Sequence, residues 1–216
     1  MLRAALFTIA ILIGSISPAQ QVFGTKAPKQ GRLEAEAGLL TNPGVQKDLG
    51  LSASIAKEIN DKFGALRKQF PMDPNHMIPT GNLRELMQKN AATNKECVAM
   101  LTTPQKARFK EILIQIAGAS SLVNPETKKE LNLTEEQFRK ISSIVVDGNS
   151  RLRDSMGLAD PIAGPEQRKR RILELQKMQR EANAKMLAAS LKLLKPEQVA
   201  KWKAIQGKPF TLKAGS

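Results

Sequence analysis

The chain has little of what enzymes and nucleic-acid binders commonly use. Its 216 residues include one His, one Cys, one Trp and no Tyr, and aromatic residues make up 4% of the sequence. The single cysteine, Cys97, excludes an internal disulfide and a cysteine-based metal site. It lies on a helical apolar stripe and reads as a small core hydrophobe rather than a reactive thiol. His76 has no second His or thiol to work with, no Gly-rich phosphate loop follows a strand, and most Asp and Glu stand at helix starts or in i,i+4 pairs. No enzymatic chemistry and no cofactor are expected from such a set. Scarce aromatics also remove the stacking platforms that single-stranded nucleic acid requires.

Acidic residues are in short supply too. There are 34 Lys and Arg against 20 Asp and Glu, a net charge of +14. The excess is uneven: residues 20–118 hold 14 basic and 9 acidic residues, and residues 119–216 hold 19 and 11. A positive balance favours acidic partners: polyanions, anionic lipid surfaces or acidic unfolded chains.

Long apolar runs are confined to the start. Arg3, the stretch Ala4 to Ile16 and the small residues of Ser17-Pro18-Ala19 form an export-signal pattern, with cleavage expected after Ala19. The alternative is an uncleaved N-terminal anchor. No later segment reaches the roughly 18 apolar residues of a membrane span. The expected organisation is a signal peptide (1–19), a polar tether (20–38), a first helical half (39–118), a second (119–207) and a C-terminal tail (208–216). The expected place is the periplasm or another exported location, where nucleic acid is not the default partner.

What is abundant is helical periodicity. Apolar stripes run through Ile55 to Phe70, Leu83 to Leu101, Phe109 to Ile116, Phe138 to Met156 and Ile172 to Ala189, with a short sixth at Trp202 and Ile205. No alternating β-branched window stands between turn signals, so the fold class is all-α. Pro and Gly separate the stripes, and Pro165 suits a first helical position. From Pro165 the chain runs to residue 194 with no further Pro or Gly, which allows a helix roughly 45 Å long.

The sequence repeats. Displaced by 82 positions, Leu40, Asn42, Pro43, Lys47, Leu49, Leu51 and Ile59 meet Leu122, Asn124, Pro125, Lys129, Leu131, Leu133 and Ile141. Seven identities in twenty positions compare with about one expected by chance, so two homologous three-helix halves are expected, as a bundle or curved cradle.

Each half carries Leu-Thr-x-x-Gln or a degraded copy. The fullest is Leu133-Thr134-Glu135-Glu136-Gln137-Phe138. Thr134 as N-cap and Gln137 at the third helical position make a capping box, and Leu133 with Phe138 a hydrophobic staple. Leu101-Thr102-Thr-Pro-Gln105 repeats it, and Leu194-Lys-Pro-Glu-Gln198 keeps Leu and Gln but puts Pro196 at the first helical position. The motif is a structural device first.

With its export signal, basic helical body and repeated Leu-Thr-x-x-Gln, the chain resembles the Spy/CpxP family of periplasmic proteins. The resemblance implies a helical, often dimeric cradle whose basic, partly apolar face binds unfolding proteins without nucleotide. Some relatives act in envelope-stress signalling or metal sensing. An apparent duplication departs from the small members, since one chain could supply both halves of a dimer.

The candidate client-binding residues lie on the long basic segment: Arg168, Lys169, Arg170, Arg171, Lys177, Met178, Arg180, Lys185 and Met186. Cations there would draw in acidic chains, while Lys and Arg stems and adaptable Met add apolar contact. The competing reading is a solvated helix face with its Met residues in the core. Met72, His76 and Met77, in a Pro-rich loop, form a weak alternative as a copper site. The expected function is an ATP-independent chaperone-like protein for unfolded or acidic clients. The rival is an envelope-stress or metal-sensing regulator bound to an envelope sensor protein.

Overall fold

The computed structural model describes residues 32–71, 81–156 and 165–211. The expected signal peptide, residues 20–31 of the expected tether, and Met72, His76 and Met77 lie outside the described residues. Among the described residues there are nine α-helices, two 3-10 turns and no strand, so the all-α class holds. The helices are α1 (Arg32–Ala35), α2 (Pro43–Asp48), α3 (Ala53–Gln69), α4 (Leu83–Ala99), α5 (Thr103–Ala117), α6 (Pro125–Glu130), α7 (Glu135–Met156), α8 (Pro165–Leu191) and α9 (Pro196–Ile205). No described helix is long and apolar enough to cross a membrane.

The chain divides into two compact units. The first holds described residues 32–71, 81–113 and 208–211, and the second 114–156 and 165–207. The units meet at 113/114, five positions before the expected division after residue 118. The boundary lies within α5, with the buried Leu113 in the first unit and the buried Ile114 in the second.

The first unit starts earlier than the polar composition suggests. The tether expected over 20–38 ends no later than Arg32, because α1 packs on α4 and Ala37 is fully buried. A 3-10 turn (Ala37–Thr41) then leads to Asn42, whose side chain accepts from the N–H groups of Gly44 (2.8 Å) and Val45 (3.3 Å). Pro43 opens α2, its missing N–H being no loss at a first helical position. Gly50, at φ +59°, turns the chain towards Ser52, which caps α3 by accepting from Ile55 N–H. Ile59, Phe63 and Leu66 recur on one face of α3 and are buried, as are Cys97 and Val98 of α4. Each such side chain contributes about 1.5–3 kcal/mol on leaving water. Helices α3 and α4 run antiparallel, joined at their rims by Lys62 to Glu96 (2.7 Å) and Gln69 to Glu85 (3.4 Å).

Arg108 of α5 gathers this unit's polar contacts. Its guanidinium donates to both oxygens of Asp48 (2.6 and 3.3 Å), to Glu111 (2.6 Å) and to the carbonyl of Lys208 (2.8 Å). The tail residues 208–211 are thereby held within the first unit.

The second unit passes through a like order of local structures. A 3-10 turn (Gly118–Val123) leads to Asn124, which caps α6 by accepting from Glu126 N–H (2.8 Å), with Pro125 at the first position. Asn132, at φ +51°, stands where Gly50 stands in the first unit. Thr134 caps α7. Gly118 is required for two reasons: its φ is +50°, and a Cβ there would lie 2.6 Å from Asn183, whose side chain accepts from Ala119 N–H. Helices α7 and α8 pack antiparallel, with Gly148 leaving room for the Met186 side chain. The core joins Ile114, Leu122, Leu131, Leu133, Ile141, Val145, Met186 and Trp202.

Candidate interaction surface

The Leu-Thr-x-x-Gln segments build joints. At the start of α7, Gln137 N–H donates to Thr134 Oγ1 (3.1 Å) and Thr134 N–H donates to Gln137 Oε1 (3.0 Å), a closed capping box. Leu133 is buried and Phe138 packs on the same cluster. Thr102 and Gln105 make the equivalent pair of bonds at the start of α5 (3.4 and 3.0 Å), beneath the buried Leu101. At α9 Lys195 has no acceptor to offer, and only the return bond survives, from Lys195 N–H to Gln198 Oε1 (2.9 Å), next to the half-buried Leu194.

Gln137 and Gln198 also grip each other. Each amide nitrogen donates to the other's oxygen, at 2.8 and 3.1 Å. Each then donates its second hydrogen across the joint, Gln137 to Leu193 O (2.8 Å) and Gln198 to Asn132 O (3.1 Å). Both carbonyls lie two residues before a helix cap, so the arrangement is locally two-fold. All four amide hydrogens are used, which binds the start of α7 to the start of α9 and leaves these polar groups no free valence for a ligand.

The open chemistry of the second unit lies on α8 and α9. Arg170, Lys177, Arg180, Lys185, Lys192, Lys195, Lys201 and Lys203 are exposed, and among the described residues none of the eight is in an ion pair. In the first unit Lys57, Lys62, Lys89 and Arg108 face Asp61, Glu96, Glu85 and Asp48, and the exposed cations without an ion pair among the described residues, such as Lys47, Lys68, Arg84 and Lys95, are more thinly spread. Along α7 and its approach, Lys128 and Lys140 are tied to Glu135 and Glu136.

The nine residues picked from the sequence separate on this scaffold. Arg170, Lys177, Arg180 and Lys185 are exposed, and Arg171 is half-buried beside Glu174 (3.7 Å). Met178 is half-buried. Met186 must be withdrawn from the surface: it is 6% exposed and fills the space above Gly148 in the core. The side chains of Arg168 and Lys169 lie outside the described residues. One residue was missed. Leu173 is 55% exposed in the midst of the cations. Its signal was available, an apolar residue three positions from Arg170 and four from Lys177, on the charged face of the helix.

Other reactive groups are secluded or scattered. Burial pushes the Cys97 thiol up to about 11, so it stays protonated at neutral pH. Among the described residues no three His, Cys, Asp or Glu side chains come together where they could hold a metal ion. Comparison with protein-family models, curated proteins and solved structures gives no match to this chain.

Proposed function

We propose that the chain is an exported, ATP-independent, chaperone-like protein that captures unfolded or acidic clients on the α8–α9 face. The observation that carries this reading is the set of eight exposed cations without ion pairs. Unpaired cations in water keep their long-range field, and that field raises the encounter rate with acidic chains. The capped joint at the starts of α7 and α9 fixes the second unit's fold and supplies no reactive group. The export-signal pattern of residues 1–19 supports a periplasmic location for such work. The similarity to Spy/CpxP proteins, carried by the Leu-Thr-x-x-Gln joints, supports the same reading. The like order of turn, Asn-capped helix, positive-φ residue and hydroxyl-capped helix in both units supports an internal duplication.

The test is light scattering from an acidic, reduced client as it aggregates. Equimolar protein should suppress aggregation at about 20 mM salt. At about 500 mM, where the Debye length is near 4 Å, suppression should be largely lost. No suppression at several-fold molar excess in low salt would sink the proposal.

A further inference from the structure

Resting on that reading, we propose a preference within the acidic clients: Arg170, Leu173, Lys177 and Arg180 form one recognition stripe for extended segments of the form acid-x-apolar-x-acid. These four residues recur at i, i+3, i+7 and i+10 in α8, a spacing that places them on one helix face. All four are exposed, and Leu173 is 55% exposed, an unusual place for a large apolar side chain among charges. The three cations have no ion-pair partner among the described residues. Glu174 and Glu181 occupy the adjoining edge, with Glu174 beside Arg171.

The stripe has a length scale. At 1.5 Å per residue, Leu173 lies about 4.5 Å beyond Arg170, Lys177 about 10.5 Å and Arg180 about 15 Å. In an extended chain, residues i, i+2 and i+4 share one side and are spaced at about 6.6 Å, so an acid at each end spans about 13 Å. One acid then meets Arg170, the central apolar side chain covers Leu173, and the second acid falls between Lys177 and Arg180. A second copy of this chain is a poor occupant. The chain carries +14 overall and no long acidic run, and its α8 face would meet like charge. A plain polyanion would satisfy the cations but leave Leu173 uncovered, and this is what separates the two partners.

The experiment is fluorescence anisotropy with the whole protein and three labelled probes: a peptide with a Glu-Ser-Leu-Ser-Glu centre, the same peptide with Ser replacing Leu, and polyglutamate of equal charge. The Leu peptide should bind about five- to tenfold more tightly than its Ser counterpart, as roughly half-burial of one leucine on an open helix face implies. In Leu173→Ser that advantage should vanish while salt sensitivity persists. In the triple variant Arg170→Glu, Lys177→Glu, Arg180→Glu binding of all three probes should fall at least tenfold at low salt, with the helical circular dichroism unchanged. Equal affinity for the Leu peptide, the Ser peptide and polyglutamate would overturn the inference and mark a general polyanion surface. So would tighter binding to vesicles of anionic phospholipid than to the Leu peptide. If the triple variant still suppresses client aggregation, the stripe is refuted while the chaperone reading stands. If the unchanged protein binds the Leu peptide selectively but suppresses no aggregation, the stripe stands and the chaperone reading fails.

Discussion

Ser190 sits fully buried in α8 and its hydroxyl has no hydrogen-bond partner among the described residues. A buried polar group without a partner keeps its desolvation cost and gains nothing back. Alanine removes that group, fits the same volume and favours helix more strongly. Ser190→Ala should therefore raise stability by about 1 kcal/mol, read as a higher urea midpoint at unchanged m value. A lower midpoint would show that the hydroxyl is bonded after all. Single residues also mark where the sequence could not be read. Met178 and Met186 are eight positions apart on one helix and look alike as letters. Only the neighbour decides: Met186 meets Gly148 of α7 and goes inside, while Met178 stays half-buried.

At the scale of elements, α2 and α5 are linked by Asp48 and Arg108. The hydrogen-bonded Arg108 guanidinium, aided by the charge of Lys208, holds the Asp48 carboxyl below its usual range, against the opposing effect of burial. A depressed folded value means that the unfolded chain binds a proton first. The stabilisation is thus fully present above about pH 4 and is lost as pH falls through the lowered folded value. Asp48→Asn should be less stable than the unchanged chain at pH 7, by about 1–2 kcal/mol for a partly screened pair. The difference should shrink steadily below pH 4. A difference independent of pH would assign the effect to packing. The longer helices were legible because each repeats its apolar residues over two turns or more, and α9 by the short stripe of Trp202 and Ile205. Helices α1, α2 and α6 were not, since four to six residues are too few for a period to emerge. Their signals were punctuation instead: Asn42-Pro43 and Asn124-Pro125 combine a cap with a first-position proline, and both open a helix.

At the scale of the molecule, the all-α class followed from composition and period, but the division into units did not. Leu113 and Ile114 are equally apolar, and nothing in their identity says that one joins the first core and the other the second. Charge was legible as a total and as an excess in the second half. Which cations remain unpaired was legible only in part, because local pairs such as Lys57 with Asp61 follow helical spacing while others, as with Lys62 and Glu96 or Arg108 and Asp48, join side chains far apart in sequence. Leu173 was legible by its spacing from Arg170 and Lys177, but an apolar residue in a helix is expected to face inward, and that expectation outweighed the spacing.

The Gln137–Gln198 joint has a consequence in time as well as in space. The N–H groups of Thr134 and Lys195, 61 residues apart, each end on an oxygen of one amide pair. Neither glutamine can turn away without breaking bonds to the other. In native-state hydrogen exchange the two N–H groups should therefore open in a single event, with the same free energy and the same denaturant dependence. Gln198→Ala should speed exchange at Thr134 as well as at Lys195, whereas independent rates would mean that the amides form two separate caps. A helix start that closes only when a distant one has closed behaves as a clasp, making the segment between them a single cooperative loop.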